Sequence, residues 1–163
     1  MEHLWAPWRN SYVTADKKNT DTLFFDIGQS TADRENLVVC RSKSAYVVLN
    51  RFPYNGGHSL VVPYRTVAEP SELAPDEATD LWSLVNRTVQ ALRQCYQPAG
   101  FNIGLNLGVA AGAGLPNHMH VHVVPRWSGD TNFMATTAGV RVHPNDLSKI
   151  YTDLKQAFDG PSV

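Results

Sequence analysis

The chain has 163 residues, with 14 Lys or Arg against 15 Asp or Glu, so its formal net charge is −1. Its content of 43% hydrophobic and 18% charged residues is typical of one globular domain and excludes an intrinsically disordered chain. The near-zero charge argues against a DNA-binding protein with a broad basic surface, and we expect no nucleic-acid partner.

The N-terminal half predicts a β-hairpin followed by a third strand. Residues 1–21 alternate between polar and aromatic types and are expected to form an arm on the surface, whereas residues 26–35 are expected to form a loop. Segments 36–41 and 45–50 are rich in β-branched residues and are joined by Ser-Lys-Ser, which is typical of a hairpin. Residues 58–63 predict the next strand, which ends at a proline.

The C-terminal half predicts a long helix, two strands and a second helix. Apolar residues recur at helical spacing over 75–96. Residues 100–107 and 119–125 alternate as strands do, on either side of a loop at 108–117 that is rich in glycine and alanine. Residues 144–158 predict a weaker helix, followed by a short tail to residue 163. This order predicts a single α+β domain, with an antiparallel sheet, one main helix and a C-terminal helix.

Residues 94–125 contain no Asp, Glu, Lys or Arg. This window is not a membrane span, because prolines, asparagines and glycines interrupt the run of about 20 apolar residues that a spanning helix needs. The N-terminus lacks the pattern of a signal peptide. The two cysteines, Cys40 and Cys95, are far apart, which excludes a disulfide framework and a cysteine-rich zinc module. We therefore expect a cytoplasmic protein with no membrane partner.

Within this window, the sequence HMHVHVV places His118, His120 and His122 in strict alternation with apolar residues. Because successive side chains of a strand point to opposite faces, the three imidazoles are expected to share one face, roughly 6–7 Å apart. One extended ligand could then contact all three in turn. The glycine-rich loop at 108–114 could bind phosphate oxygens through main-chain N–H groups, without a cationic side chain.

Two kinds of chemistry fit such a row of histidines. His-x-His on a strand can ligate zinc, but a hydrolytic metal site usually also needs a carboxylate, and the uncharged window has none. An imidazole with a pKa near 6.5 is largely neutral at neutral pH and can attack phosphorus, while neighbouring histidines donate hydrogen bonds to the phosphate.

The row H-x-H-x-H-x-x, with apolar x, resembles the signature of the histidine triad (HIT) superfamily of nucleotide hydrolases and transferases. Further segments resemble the branch with bacterial diadenosine tetraphosphate phosphorylases and fragile-histidine-triad hydrolases. They are MEHLWAPWR at 1–9, LNRFPYNGGH at 49–58, NIGLNLG at 102–108, and PRW at 125–127 with the Gly-Asp and Asn-Phe pairs after it. The resemblance covers most of residues 1–134 and implies a HIT-type fold in a homodimer whose sheets join across the two-fold axis.

The resemblance also implies roles for the histidines. His120 would be the nucleophile that takes the nucleoside monophosphate as a covalent intermediate, and His122 would bind the attacked phosphate. His118 would lie toward the leaving group or support the loop. His58 matches a fourth family histidine, which orients the nucleophile from a neighbouring strand.

The same resemblance implies a set of nucleotide-binding residues. Asn50 matches a residue that binds the ribose hydroxyls, while Asn106, Gly112 and Gly114 belong to the loop that contacts the phosphates. Both asparagines could instead be turn formers, and the glycines could serve only a tight connection.

Two departures from the family pattern bear on what is expected. Many relatives carry a C-x-F-C zinc knuckle completed by a histidine after the third strand. Here residues 22–25 read TLFF and Thr66 replaces the histidine, so we expect no structural zinc. Phosphorylase-like relatives often have Ser or Thr where this chain has Gly114, so a candidate hydroxyl donor to inorganic phosphate is missing.

The resemblance implies cleavage of a dinucleoside polyphosphate, such as diadenosine tetraphosphate. AMP would be held on His120 and passed to water or to phosphate, so a hydrolase would yield AMP and a phosphorylase ADP. No protein-bound cofactor is expected, although magnesium could accompany the substrate's phosphates. Two alternatives stay open: a nucleotide sensor that binds AMP with little turnover, and a hydrolase with a histidine-ligated metal.

Overall fold

The computed structural model describes residues 22–130 and 146–160. The helices are α1 (Leu23–Gln29), α2 (Asp33–Asn36), α3 (Pro75–Tyr96) and α4 (Leu147–Asp159). The strands are β1 (Val38–Arg41), β2 (Ala45–Leu49), β3 (Ser59–Pro63), β4 (Gly100–Gly104) and β5 (Val121–Arg126). Short 3-10 turns occur at Pro70–Glu72 and Val109–Ala111.

The five strands form one antiparallel sheet in the order β1-β2-β3-β5-β4. Strand β5, which begins within the histidine row and contains His122, is therefore flanked on both sides, by β3 and by β4. Its register places His122 opposite Leu60 of β3 and Gly104 of β4. The sheet and its helices confirm the predicted α+β class with one main helix and a C-terminal helix.

The two faces of the sheet are covered by different elements. Helices α3 and α4 pack on one face, against the inward side chains of alternate strand residues such as Val47, Val61, Val121 and Val123. The opposite face carries a smaller apolar cluster that includes Phe24 of α1, together with Tyr46, Val48, Leu60 and Leu115. Because His122 is paired with Leu60, its side chain lies on this second, less covered face.

The prediction of a loop at residues 26–35 is wrong, because most of this segment is helical, in α1 and α2. The helices are too short to be stabilised by intrinsic propensity, and they depend on a side chain from β1. The Arg41 guanidinium donates to the main-chain carbonyls of Gly28 and Ser30, at 2.9 and 2.6 Å, and to the Asp33 carboxylate. These carbonyls lie at the end of α1, where main-chain groups lack partners within the helix.

The other predicted elements are present, with shifted ends. The main helix has the predicted bounds, whereas β4 ends at Gly104 and β5 begins at Val121, two residues after the predicted start. Helix α4 begins after Asp146, whose carboxylate accepts the N–H of Lys149 at 2.7 Å as an N-cap. The predicted arm at 1–21 and the first residues of the predicted last helix lie outside the described residues. No helix among the described residues is both long and apolar enough to cross a membrane.

Candidate active site

A pocket opens on the less covered face of the sheet, between α1, the ends of β2 and β3, and the loop before β5. It encloses about 990 Å³, including space open to solvent, and its lining is mostly apolar. Ligand sites in proteins are commonly clefts with a mostly apolar lining and a few polar groups. Most of the predicted site residues meet in its lining, namely Asn50, Asn106, Gly112, Gly114, His120 and His122.

His120 is held in the pocket wall with its two ring nitrogens in different surroundings. The side chain is buried, and its Nδ1 lies 3.0 Å from the main-chain carbonyl oxygen of His118. Since a carbonyl only accepts, Nδ1 carries the proton, and in the neutral ring the lone pair is on Nε2. Burial lowers the pKa of His120 below its usual 6.5, although the hydrogen bond to His118 acts in the opposite direction. The ring is therefore a neutral imidazole in a defined tautomer at neutral pH.

His122 and His58 form a pair whose protons can be assigned from the surrounding donors. Nδ1 of His58 accepts the main-chain N–H of Tyr54 at 3.0 Å, so the proton of the neutral ring is on Nε2. That Nε2 lies 3.0 Å from Nδ1 of His122 and donates to it. The proton of His122 is then on its own Nε2, which makes that atom a donor suited to a phosphate oxygen. The structure thus places His58 against His122 rather than against the proposed nucleophile.

The structure places His118 outside the lining of the pocket, and its position toward the leaving group stays a prediction. His118 is 1% exposed, lies behind the described lining of the pocket, and donates from Nε2 to the carbonyl of Pro63 at 2.8 Å. The strict alternation of a strand does not extend back to this residue, because β5 begins only at Val121 and Met119 bonds instead to the carbonyl of Val67. His118 supports the site through its main-chain carbonyl, which holds His120.

Asn50 is both a turn former and a residue of the pocket. Its Oδ1 accepts the N–H of Phe52 at 2.9 Å, as asparagine does in Asx turns. Its Nδ2 lies 3.4 Å from Nδ1 of His58, so a second donor faces the nitrogen that already accepts from Tyr54. Asn50 therefore connects the pocket to the histidine pair.

The loop before β5 contributes Asn106, Gly112 and Gly114 to the lining. Gly112 has φ +88°, a backbone conformation that residues with a side chain rarely adopt. The loop can therefore expose main-chain groups to the pocket at this point, and the binding of phosphates by this loop stays a prediction.

Sequence reasoning gave no role to Tyr54 or to helix α1, and both form part of the site. The Tyr54 ring stacks on the imidazoles of His58 and His122, with centroids 4.7 and 5.9 Å apart. The centroid of the Phe24 ring, in α1, lies 4.9 Å from that of the His120 ring. The main-chain carbonyl of Phe24 accepts a hydrogen bond from the buried Tyr46 hydroxyl at 2.6 Å. An aromatic residue before the Asn-Gly-Gly-His turn was the available signal for Tyr54, whereas α1 depends on contacts distant in sequence.

Among the residues that the structure describes, no three His, Cys, Asp or Glu side chains are arranged to hold a metal ion. The absence of a structural zinc stays a prediction from the sequence. In place of a knuckle, the segment around Phe24 is held by Tyr46 and by the Arg41 guanidinium.

Comparisons with known proteins agree with this geometry. The model of the HIT domain family matches residues 31–129, which is more than half of the chain. The chain belongs to the HIT family. An AP-4-A phosphorylase of Mycobacterium tuberculosis is 41% identical over 155 residues, covering 90% of this chain and 79% of the relative. A protein of Schizosaccharomyces pombe named bis(5'-nucleosyl)-tetraphosphatase (asymmetrical) is 38% identical, and the match covers 57% of this HIT chain and 50% of the relative.

Solved structures of HIT proteins share the fold. A zinc-bound histidine triad family protein from Mycobacterium smegmatis superposes with a TM-score of 0.66 at 26% identity, over 83% of this chain and 91% of that one. A histidine triad nucleotide-binding protein from Sulfolobus tokodaii also gives 0.66, at 21% identity, over 84% of this chain and 91% of its own. The predicted HIT-type fold is thereby confirmed.

Proposed function

We propose that this HIT-family protein is an enzyme that cleaves dinucleoside polyphosphates through a covalent nucleotidyl-histidine intermediate. The observation that carries the proposal is the state of His120, a neutral imidazole whose Nδ1 proton is bound to a carbonyl and whose ring lines an apolar pocket. The names of the relatives, AP-4-A phosphorylase and bis(5'-nucleosyl)-tetraphosphatase, support this class of substrate.

In the first step, Nε2 of His120 attacks the α-phosphorus. A P–N bond forms, and the P–O bond to the remaining phosphates breaks, so those phosphates leave as a nucleotide. The imidazole becomes positively charged, and its Nδ1–H continues to donate to the carbonyl oxygen of His118, which stabilises that charge. The Nε2 proton of His122 stabilises the negative charge that develops on a phosphate oxygen.

In the second step, an acceptor attacks the same phosphorus, and the P–N bond breaks to return the electron pair to His120. Our proposal assigns inorganic phosphate as this acceptor, since the relative matched over 90% of the chain is named a phosphorylase. Gly114 offers only main-chain groups where phosphorylase-like relatives often have a hydroxyl, so water is the competing acceptor.

The pocket accounts for binding of the nucleoside next to the attacked phosphorus. Apolar side chains from α1, β2 and β3 suit a flat base, and we assign the ribose hydroxyls to Asn50, which also lines the pocket. A second opening shares Tyr54, Asn106 and His122 with this pocket. Because the two openings meet at His122, the phosphate chain could cross there, with the leaving nucleotide in the second opening.

A homodimer and a cytoplasmic location remain parts of the proposal. Within the described residues, β4 is the last strand of the sheet and is bonded along one side, to β5. Its exposed Ile103 and its free edge suit pairing with the β4 of a second copy. Size-exclusion chromatography with light scattering would give twice the chain mass, and Ile103→Lys should shift the protein toward a monomer.

Product analysis tests the proposed reaction. The protein is incubated with diadenosine tetraphosphate, with and without inorganic phosphate, and ADP is resolved from AMP. Phosphate-dependent ADP indicates a phosphorylase, and phosphate-independent AMP a hydrolase. Turnover that survives unchanged in His120→Ala would refute the assigned nucleophile.

The same assay separates the two alternative functions. A nucleotide sensor would bind AMP stably, without turnover or adduct. A histidine-ligated metal hydrolase would lose its activity when a chelator is added and would regain it with zinc. The proposed enzyme would keep full activity after chelation in magnesium-free buffer, or would regain it with magnesium.

A further inference from the structure

A largely covered carboxylate lies outside the pocket, where the chain leaves β5. The Asp130 side chain is 9% exposed and accepts two hydrogen bonds from the Arg126 guanidinium, at 2.6 and 2.8 Å. It also accepts the N–H of Trp127 at 3.2 Å and the Nδ2 of Asn55 at 2.8 Å. Such a carboxylate is held in one orientation, because the two guanidinium hydrogen bonds fix its plane.

Asn55 connects this carboxylate to the turn between β2 and β3. Its Nδ2 donates to the carbonyl of Pro125 at 3.1 Å as well as to Asp130, so one amide group binds both a residue of β5 and the segment that follows the strand. Its own main-chain carbonyl accepts the N–H of His58 at 3.1 Å. Asn55 thus links the turn at residues 54–58 to β5 through a side chain and to His58 through the backbone.

The backbone of that turn has little freedom to move. Gly57 has φ +80°, and a Cβ there would lie 2.8 Å from Leu92 of α3. At the start of the turn, the Tyr54 N–H points at Nδ1 of His58. The Tyr54 N–H of the turn, with the more distant Nδ2 of Asn50, therefore makes Nδ1 the accepting nitrogen of His58.

We propose that Asn55 and Asp130 are positioning residues for the phosphate-binding histidine, since they hold the turn that sets the tautomer of His58 and, through it, of His122. The proposal rests on the proposed function for its catalytic consequence. If the turn relaxes, His58 can move its proton to Nδ1 and present a lone pair to His122. His122 would then carry its proton on Nδ1, and the Nε2 lone pair would repel a phosphate oxygen.

Asn55→Ala tests this inference, with Ser42→Ala as a matched control. The control also removes a side-chain hydrogen bond to a carboxylate, that of Asp80 at 2.8 Å, in a turn that does not line the pocket. We expect Asn55→Ala to lower kcat for diadenosine tetraphosphate about ten- to a hundredfold, because loss of a whole donor to the transition state costs about 10²–10³. KM should change less than about threefold, since the nucleoside walls belong to other elements, and the control should keep both constants.

The tautomers are read without substrate, by NMR of the histidine ring nitrogens in ¹⁵N-histidine-labelled protein. In the native protein we expect His58 and His122 each to carry the proton on Nε2, and in Asn55→Ala we expect a mixture of tautomers. Asp130→Asn keeps an oxygen acceptor but loses the charge that pairs with Arg126. It should shift the tautomer populations in the same direction but by less, and it replaces Asn55→Ala as the test if that variant does not fold.

The outcomes separate this inference from the proposed function. Unchanged tautomers in both variants would overturn it, whatever happens to activity. Altered tautomers with unchanged kcat would overturn the catalytic consequence. A native protein that turns over no dinucleoside polyphosphate would refute the proposed function, while the NMR comparison would still decide whether Asn55 and Asp130 set the tautomers.

Discussion

The two faces of the sheet are built in different ways, although the same strands form both. On the face of α3 and α4, apolar side chains at regular spacing close a continuous core. On the other face, the short helix α1 and a glycine-rich loop leave a pocket, and polar contacts from Arg41, Tyr46 and Asn55 hold its parts in place. The closed face therefore mainly provides stability and the open face mainly provides chemistry, so substitutions should separate stability from activity according to face.

Loss of the nucleophile on the open face should have the largest effect on activity. We expect His120→Ala to lower turnover about 10⁴-fold or more, as expected for a residue that forms the covalent bond. Its thermal midpoint should stay near that of the native protein, because the side chain lines the pocket rather than the α3 core. The rate is measured by product formation and the midpoint by calorimetry. A large fall in the midpoint would show that the two faces are not separable.

A large-to-small substitution on the closed face should show the reverse pattern. Leu84 of α3 is 1% exposed, and truncation of such a residue costs roughly 2–5 kcal/mol in the free energy of unfolding. The folded fraction of Leu84→Ala should keep the native kcat. Denaturant titration gives the stability and steady-state kinetics the activity. The exposed Trp82 on the same helix is the control, since Trp82→Ala should cost much less.

Arg41 tests how the open face is held together. In Arg41→Met the carbonyls at the end of α1 lose their donor, so the helix that forms one wall of the pocket should loosen. Hydrogen bonds that involve a charged group contribute roughly 1.5–3 kcal/mol, so AMP binding should weaken about tenfold or more. Calorimetric titration with AMP measures this. The control is Lys43→Met, which breaks an exposed ion pair with Asp76 and should leave the affinity for AMP unchanged. An equal loss of AMP affinity in both variants would contradict the role of Arg41.

The buried histidines predict how stability changes with pH. Burial lowers the pKa of His118 and of His120 below the usual 6.5. The unfolded chain then binds more protons than the folded one as the pH falls through about 6.5, so stability is complete above that pH and is lost below it. Denaturant titrations at several values between pH 5 and 8 should show this slope. His118→Gln should reduce it, and an unchanged slope would assign the effect to other groups.

Features that depend on contacts between residues close in sequence could be predicted, whereas features that depend on contacts between distant residues could not. The bounds of the main helix follow from its one-sided apolar spacing between Pro75 and Pro98, and the fold class follows from the element order. The pocket position of His120 and His122 follows from their alternation. Helix α1 was missed because its main stabilising contacts come from Arg41 and Tyr46, which are distant in sequence.

The histidine roles show the same limit. Spacing predicts which residues share a face, but not where a strand begins, and His118 lies before β5 with its ring turned to the carbonyl of Pro63. His58 contacts His122 because β3 pairs with β5, and this pairing cannot be predicted from the sequence of either strand. Resemblance to the family supplied the set of residues, and the structure assigns their contacts.

The most direct test of the central claim is to trap the covalent intermediate. The protein is mixed with diadenosine tetraphosphate, quenched under alkaline conditions that preserve phosphoramidates, and digested for mass spectrometry. We predict an AMP adduct on the peptide that contains His120, attached at Nε2, and its absence in His120→Ala. Steady turnover by the native protein with no adduct at any time, or an adduct on another residue, would contradict the account.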